Sequence, residues 1–332
     1  MIPNTPWSQP IEPQIYFPTI PYNKLLESLD WANHIEWLNY WLKYGGVNLA
    51  ASAWPVGTKK DWAWGLGLPF LSDVQRFIFK EERILFGISG LPGCGKTSFG
   101  RWLEASASEL KWPLKVISMD DFYLDSEGLD KAMAGNPWNV PRALPGSHSI
   151  DLLEETIENW KSIGHLKAPK FDKALRNGLG DRCGWSYSAP QVLVIEGWFL
   201  GCGLSDLKSN SLEDNSIETT SLSSQELDYQ YIVQSALKDY QSIWSNFQRI
   251  WHIKAIDFTS TRMWKSQQEI DLQKERGASI SGKSLDLFIR MIETAIPQKD
   301  LQSIKSDVTA ELNSSRSIRW VGQSKDLSTR GK

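Results

Sequence analysis

Residues 87–98 read Gly-Ile-Ser-Gly-Leu-Pro-Gly-Cys-Gly-Lys-Thr-Ser, and no other run in the chain constrains the fold as tightly. It contains the spacing Gly90-x-x-x-x-Gly95-Lys96-Thr97. An apolar run from Ile84 to Ile88 precedes it and predicts a buried strand, and Phe99 to Leu110 follows and predicts a helix. A strand that turns through glycines directly into a helix is the setting of a phosphate loop. The glycines let successive backbone N–H groups converge on one point, and the helix N-terminus adds partial positive charge there. Gly90, Gly93, Cys94, Gly95, Lys96, Thr97 and Ser98 are thus the expected nucleotide-binding residues. Lys96 would reach the β- and γ-phosphates, and the Thr97 hydroxyl would ligate a divalent cation.

The rest of the composition narrows the class. The chain has 332 residues, enough for one large α/β domain or two modest ones. A net charge of −3 gives no basic footprint of the kind nucleic-acid binders carry. Three cysteines, Cys94, Cys183 and Cys202, are too few and too scattered for a disulfide framework or a zinc site. The opening Met1-Ile-Pro-Asn-Thr-Pro has no basic segment before an apolar core, and no run of about 18 apolar residues occurs. A reduced, cytoplasmic setting without a membrane span is expected. Cys94 could block the phosphate loop on oxidation, or could be one of several small residues that fit there. Seventeen tryptophans, six of them between Trp31 and Trp64, pack a core or form a partner patch, and core packing is the expectation.

Along the chain, Pro3, Pro6, Pro10, Pro13, Pro18 and Pro21 make residues 1–22 an extended arm. Residues 23–45 carry apolar side chains at helical spacing and predict one helix, or two parted near Asn33. Residues 47–66 read as irregular and 68–83 as helical. From residue 84 strands and helices alternate, the signature of a mainly parallel sheet. Predicted strands are Leu114–Ser118, Val192–Ile195, Ile250–Ile256 and Ile318–Val321. Predicted helices are Asp151–Ser162, Tyr229–Phe247, Thr261–Arg276 and Ser284–Thr294. Residues 205–227, rich in Ser, Asn, Thr and Glu, read as a disordered insertion, either a lid or a tolerated surface segment. The organisation is a mainly helical, Pro/Trp-rich N-terminal extension over 1–80, an α/β domain over 81–322 and a loose tail over 323–332.

Phosphoryl transfer needs metal ligands, a proton acceptor and positive charge over the moving phosphate. Asp120 and Asp121 close the second strand, at the edge where open α/β sheets bind ligands. One would accept a hydroxyl proton and the other hold metal-bound water; an Asp helix cap is the plainer alternative. Val192–Ile195 ends in Glu196, an acid placed to hold Mg²⁺ or polarise the nucleophile. Arg142 and His148 in one polar loop, with Lys173 and Arg182 in another, suit an anionic substrate, although each alone also reads as solvated surface charge. Arg262 and Lys265 lie on a late helix with Gln268 and Glu269 and would form a lid over the phosphates or an ordinary salt-bridge network.

These pieces in this order resemble the D-glycerate 3-kinases of plants and fungi, and more distantly the phosphoribulokinase, uridine kinase and pantothenate kinase group of P-loop kinases. The segment Ser118–Tyr123 is similar to the group's Ser-x-Asp-x-Phe-Tyr strand end. Glu196-Gly197-Trp198-Phe199-Leu200-Gly201 is similar to Glu-Gly-Trp-Met-Leu-Gly, the most specific match. Arg142–His148, Pro169–Arg182 and Trp264–Glu269 resemble further family segments, and the likeness covers roughly residues 80–297. It implies a P-loop NTPase-type three-layer α/β/α fold and Mg²⁺-dependent transfer from ATP to D-glycerate, giving 3-phosphoglycerate. It implies Asp120 as base, with Lys96 and Glu196 completing the catalytic set. Thr97 and Glu196 would hold Mg²⁺, and Tyr123, Arg142, His148, Lys173 and Arg182 the substrate. The phosphate machinery is intact. The acceptor loops depart: Phe171 stands for Tyr, Ala143-Leu144 for Gly-Asn, Ser149 for Asp, Leu179 for Arg and Lys265 for Arg. Two rivals follow, a kinase of this fold with another acceptor and a nucleotide-binding regulatory protein. The oligomeric state stays open.

Overall fold

The computed structural model describes residues 22–51, 54, 60–78, 80, 82–204, 222–276 and 282–327. In chain order the helices and strands begin with α1 (Tyr22–Ser28), α2 (His34–Lys43), α3 (Gly46–Ala51) and α4 (Lys60–Trp62). A π-helical turn over Ala63–Gly67 joins α4 to α5 (Leu68–Ile78). Then come β1 (Ile84–Gly90), α6 (Lys96–Glu109), β2 (Leu114–Ser118), α7 (Ser126–Ala132) and α8 (Ile150–Ile163). β3 (Leu166–Asp172), β4 (Asp181–Ser188) and β5 (Val192–Gly197) follow. The chain continues with α9 (Ser224–Leu237), α10 (Gln241–Trp244), β6 (Arg249–Ala255), α11 (Ser260–Arg276) and α12 (Gly282–Thr294). It closes with α13 (Gln298–Gln302), β7 (Val308–Leu312), β8 (Ile318–Gln323) and α14 (Ser324–Leu327).

Six strands form the main sheet in the order β2-β5-β1-β6-β7-β8. Every pairing is parallel except β7 with β8. β1 and β5 are buried along their whole length, which is why they open with the unbroken apolar runs Ile84–Ile88 and Val192–Ile195 rather than alternating ones. The order reverses at β1: β5 and β2 lie to one side, β6 to β8 to the other. The crevice beyond the C-terminal ends of β1, β2 and β5 is where such sheets hold ligands. β3 and β4 pair apart from this sheet, as an antiparallel hairpin with a register break between Lys170 and Phe171.

The N-terminal tryptophans pack the core, as expected. Trp37, Trp41, Trp62 and Trp64 share one hydrophobic cluster with β1, β5 and β6. Their polar edges are satisfied: Trp37 and Trp41 both donate to Ser72 Oγ, at 2.8 and 3.0 Å. Behind them the buried Asp73 accepts from Trp251 Nε1 at 3.0 Å and pairs with Arg249 at 2.9 Å and Arg76 at 3.1 Å. A buried carboxylate with three donors is tolerable where a lone one is not.

Several element expectations are corrected. The described part of 47–66, read as irregular, holds most of α3, α4 and most of the π-helical turn, because Leu49, Trp62, Trp64 and Leu66 are buried in the core. Of the two alternatives for 23–45 the structure has the second, two helices parted near Asn33, whose side chain caps α2 by accepting from Ile35 and Glu36 N–H. Of the insertion expected over 205–227, Ser224–Leu227 belong to α9, which Ser223 and Glu226 start with a capping box. Its residues 205–221 lie outside the described residues, as do 1–21 of the proline-rich arm. The helix expected over Tyr229–Phe247 is two, α9 and α10, because Lys238–Tyr240 turn between them. Gln323–Leu327 of the expected loose tail belong to β8 and α14, and 328–332 lie outside the described residues.

Candidate active site

The phosphate side is built from β1, the loop after it and the start of α6. Gly93 and Gly95 hold φ of +79° and +116°, backbone that side chains other than glycine adopt only with strain. A Cβ on Gly93 would meet the Trp264 backbone at 2.8 Å, so α11 and the loop touch through a space only glycine leaves. Lys96 is buried, and its Nζ donates to Gly90 O at 2.6 Å and lies 3.3 Å from Leu91 O. Thr97 Oγ1 donates to Glu196 Oε1 at 3.1 Å, which brings the loop hydroxyl and the acid at the end of β5 together. Cys94 is fully buried, and burial pushes its thiol up, disfavouring the thiolate that oxidation requires.

Two further groups brace this loop. Trp62 rests against Gly95, where a Cβ would lie 3.0 Å from the indole, and its Nε1 donates to Arg316 O at 2.6 Å. Arg316, in the β7–β8 turn, donates from Nε to Gly93 O at 2.9 Å and from Nη2 to Trp264 O at 3.2 Å.

The acceptor side centres on Asp120. Met119–Phe122 form one turn of 3₁₀-helix after β2, with Ser118 Oγ accepting from Asp120 N–H at 3.3 Å. Ser118 is in register with Glu196 across β2 and β5, so Asp120 stands beside the phosphate side of the crevice. Asp120 Oδ2 pairs with Lys173 Nζ at 2.6 Å, and Oδ1 lies 3.9 Å from His148 Nε2. Burial opposes its charge, but Lys173 and His148 outweigh burial and hold the carboxyl well below the usual range. Its neighbour Asp121 is shifted the other way, raised by burial, and accepts from Phe171 N–H at 3.4 Å. Tyr123 is buried, its ring lies 4.5 Å from that of His148, and burial, then the Asp120 charge, push its phenol well up.

No family model matches the chain. Its sequence is similar to the D-glycerate 3-kinase of Arabidopsis thaliana, named chloroplastic. Identity is 28% over 220 residues, covering 62% of this chain and 45% of that one. The match therefore spans less than half of the plant protein. It is also similar to the uncharacterized kinase mug58 of Schizosaccharomyces pombe, at 26% identity over 65% of this chain and 82% of that one. The solved D-glycerate 3-kinase from Cryptococcus neoformans var. grubii superposes with a TM-score of 0.63 at 21% identity, over 84% of this chain and 96% of that one. The fold is that of the P-loop kinases.

Within that fold the residues singled out by sequence fall into two groups and a remainder. Thr97 and Glu196 meet, with Lys96 next to Thr97 at the start of α6 but turned to Gly90 O, and Asp120, Tyr123, His148 and Lys173 meet. Arg142 is buried, and its Nη1 donates to Gly178 O and Leu179 O at 2.7 and 2.8 Å. Arg182 Nε donates to Tyr123 O at 2.9 Å. Both arginines thus fasten the 176–182 loop to the site. Arg262 is half-exposed and pairs with Asp286 at 3.3 Å and Glu293 at 3.7 Å on α12. Lys265 is buried under the same helix, 2.5 Å from Glu269, and burial lowers its pKa while Glu269 opposes the shift. Trp62, Arg316 and Tyr240 escaped the sequence reading. Trp62 is one tryptophan among many, and Arg316 and Tyr240 act through folds of the chain that bring together residues 92 and more positions apart. Among the described residues no group of three or more His, Cys, Asp or Glu is placed to hold a metal ion. No described helix is long and apolar enough to cross a membrane.

Proposed function

We propose that this chain transfers the γ-phosphoryl group of ATP to a hydroxyl of D-glycerate, giving 3-phosphoglycerate and ADP. The observation that carries the reading is the Asp120 carboxylate, held ionised by Lys173 at 2.6 Å and placed one strand from the Thr97–Glu196 pair. A bond forms from the acceptor oxygen to the γ-phosphorus, the bond from that phosphorus to the β,γ-bridging oxygen breaks, and the hydroxyl proton passes to Asp120. A carboxyl held well below its usual range is a weak base, which suits a loose transition state in which the proton leaves late.

The loop N–H groups at the start of α6 and Lys96 bind the triphosphate. The hydroxyl–carboxylate pair of Thr97 and Glu196 fits a Mg²⁺ ion that draws its other ligands from phosphate and water, as this cation does in most kinases. There it would supply positive charge that offsets the charge developing on the departing ADP. Lys173, whose side chain is half-exposed, is the cation best placed for the glycerate carboxylate. Arg142 and Arg182 shape the loop that presents it.

The test is ADP release from Mg²⁺-ATP with D-glycerate, against L-glycerate, uridine, pantothenate and ribulose 5-phosphate. Selective stimulation by D-glycerate is expected. Stimulation by another acceptor alone would favour a kinase of this fold with a different substrate. That second reading draws on Leu179, 42% exposed in the acceptor loop where the resembling family carries an arginine.

A further inference from the structure

Behind Asp120 stands a second row of polar groups. Tyr240 lies between α9 and α10 and is fully buried. Its hydroxyl oxygen accepts from Gly146 N–H at 3.1 Å and lies 2.8 Å from His148 Nδ1. His148 is 3% exposed and boxed by three rings: Tyr123 at 4.5 Å, Phe199 at 5.8 Å and Tyr240 at 5.8 Å. Its backbone is fixed by a bridge to Tyr123. The Ser147 hydroxyl, 3.5 Å from Nδ1, is directed instead at Leu144 O, 2.5 Å away. On the far side of the ring, Nε2 has no hydrogen-bond partner among the described residues and faces Asp120 Oδ1 across 3.9 Å.

The ring carries one proton, because burial lowers its affinity for a second despite the opposing Asp120 charge. Two tautomers are possible. With the proton on Nδ1, the Tyr240 oxygen would accept twice and leave its own proton buried and unmatched. The Nε2 lone pair would then face a carboxylate. With the proton on Nε2, Gly146 donates to Tyr240, Tyr240 donates to Nδ1, and an N–H points to the Asp120 side. An unmatched buried donor shifts such an equilibrium roughly five- to a hundredfold, enough to decide between the two.

We propose that Tyr240 is a positioning residue that locks His148 as an Nε2–H donor, and that this donor and the Asp120 carboxylate together read a hydroxyl. A hydroxyl has both a proton for the carboxylate and a lone pair for the imidazole. An oxygen about 2.8 Å from each would lie off the line that joins them, and because Nε2 is closed to solvent here the acceptor has to displace a neighbouring group to reach it. A carboxylate oxygen has no proton to give and is repelled by Asp120. The hydroxyl keeps a second lone pair for attack on phosphorus. The inference rests on the reading of Asp120 as the group that takes the acceptor proton.

The test is long-range ¹H–¹⁵N NMR of the full chain at pH 7. Only four histidines are present, and loss of one pattern in His148→Gln assigns the ring. The expected result is the Nε2–H tautomer in the unaltered chain. An Nδ1–H tautomer or a doubly protonated ring would overturn the proposal. The tautomer is read without substrate, so failure of D-glycerate as acceptor and failure of the lock are separate results. In kinetics, Tyr240→Phe should lower kcat/KM for the acceptor roughly tenfold, with ATP affinity within about twofold, the size of one lost hydrogen bond. No loss, or equal loss in both, would contradict the positioning role. If that variant fails to fold, the spectrum of the unaltered chain still decides.

Discussion

The two halves of the crevice are held in different ways. The phosphate half is braced from three parts of the chain: Trp62 against Gly95, Arg316 on Gly93 O, and Trp264 against Gly93. The acceptor half hangs partly on the β3–β4 hairpin, outside the main sheet, and its loop passes through Arg176 and Asn177 at φ of +55° and +56°. Its arginines fasten carbonyls, and the half-exposed cation that pairs with Asp120 is Lys173. A phosphate is the same in every such reaction, so its cradle can be rigid. The acceptor differs between enzymes, and the loops around it vary on a fixed base.

If the phosphate half depends on its brace, Trp62→Ala should cost about 3–5 kcal/mol of stability and weaken ATP binding with it. Urea denaturation and ATP titration read both, and a stable variant with unchanged ATP affinity would show that Trp62 is not a brace. The acid limit should sharpen the same point, because His252 sits on β6 beside β1. Burial drives its pKa down from 6.5 to about 3. The unfolded chain then binds the extra proton first, so this contribution is full above about pH 6.5 and is lost as pH falls toward about 3. The urea midpoint should drop between pH 7.5 and 5, and drop less in His252→Gln; equal drops would contradict the assignment.

On the acceptor side, Lys173→Met should raise the acceptor KM about 10–100-fold, the range of one charge-assisted hydrogen bond, and leave ATP affinity within about twofold. Loss of ATP binding in that variant would merge the two halves. The smallest effect is expected at Ala143, held at φ +84° where the resembling family carries glycine. Ala143→Gly should stabilise the chain by up to about 1 kcal/mol, visible as a melting-temperature rise, because it relieves left-handed strain. A fall would show that the buried methyl matters more.

The same division decided what could be read in advance. The phosphate loop, β2, β5 and β6 were legible because local pattern specifies them: an apolar run, glycines, a lysine and a terminal acid. The β3–β4 hairpin was not, since its strands carry Lys167, Lys170 and Asp181 with no buried alternation strong enough to mark them. β7 lies between polar segments and owes its place to β6. Asp120, His148 and Lys173 were named individually, but their meeting depends on the hairpin returning to β2. Arg142 was expected to face substrate because it is cationic; the structure points one of its nitrogens at loop carbonyls, a choice that charge alone cannot predict.

The central claim is that Asp120 accepts the proton of an acceptor hydroxyl on a P-loop kinase scaffold. Turnover of Asp120→Asn with saturating Mg²⁺-ATP and D-glycerate, measured beside its ATP dissociation constant, tests it most directly. The account predicts a kcat about 10²–10⁴-fold lower with ATP affinity nearly unchanged, the range of a lost general base. Unchanged turnover at equal ATP affinity would contradict it.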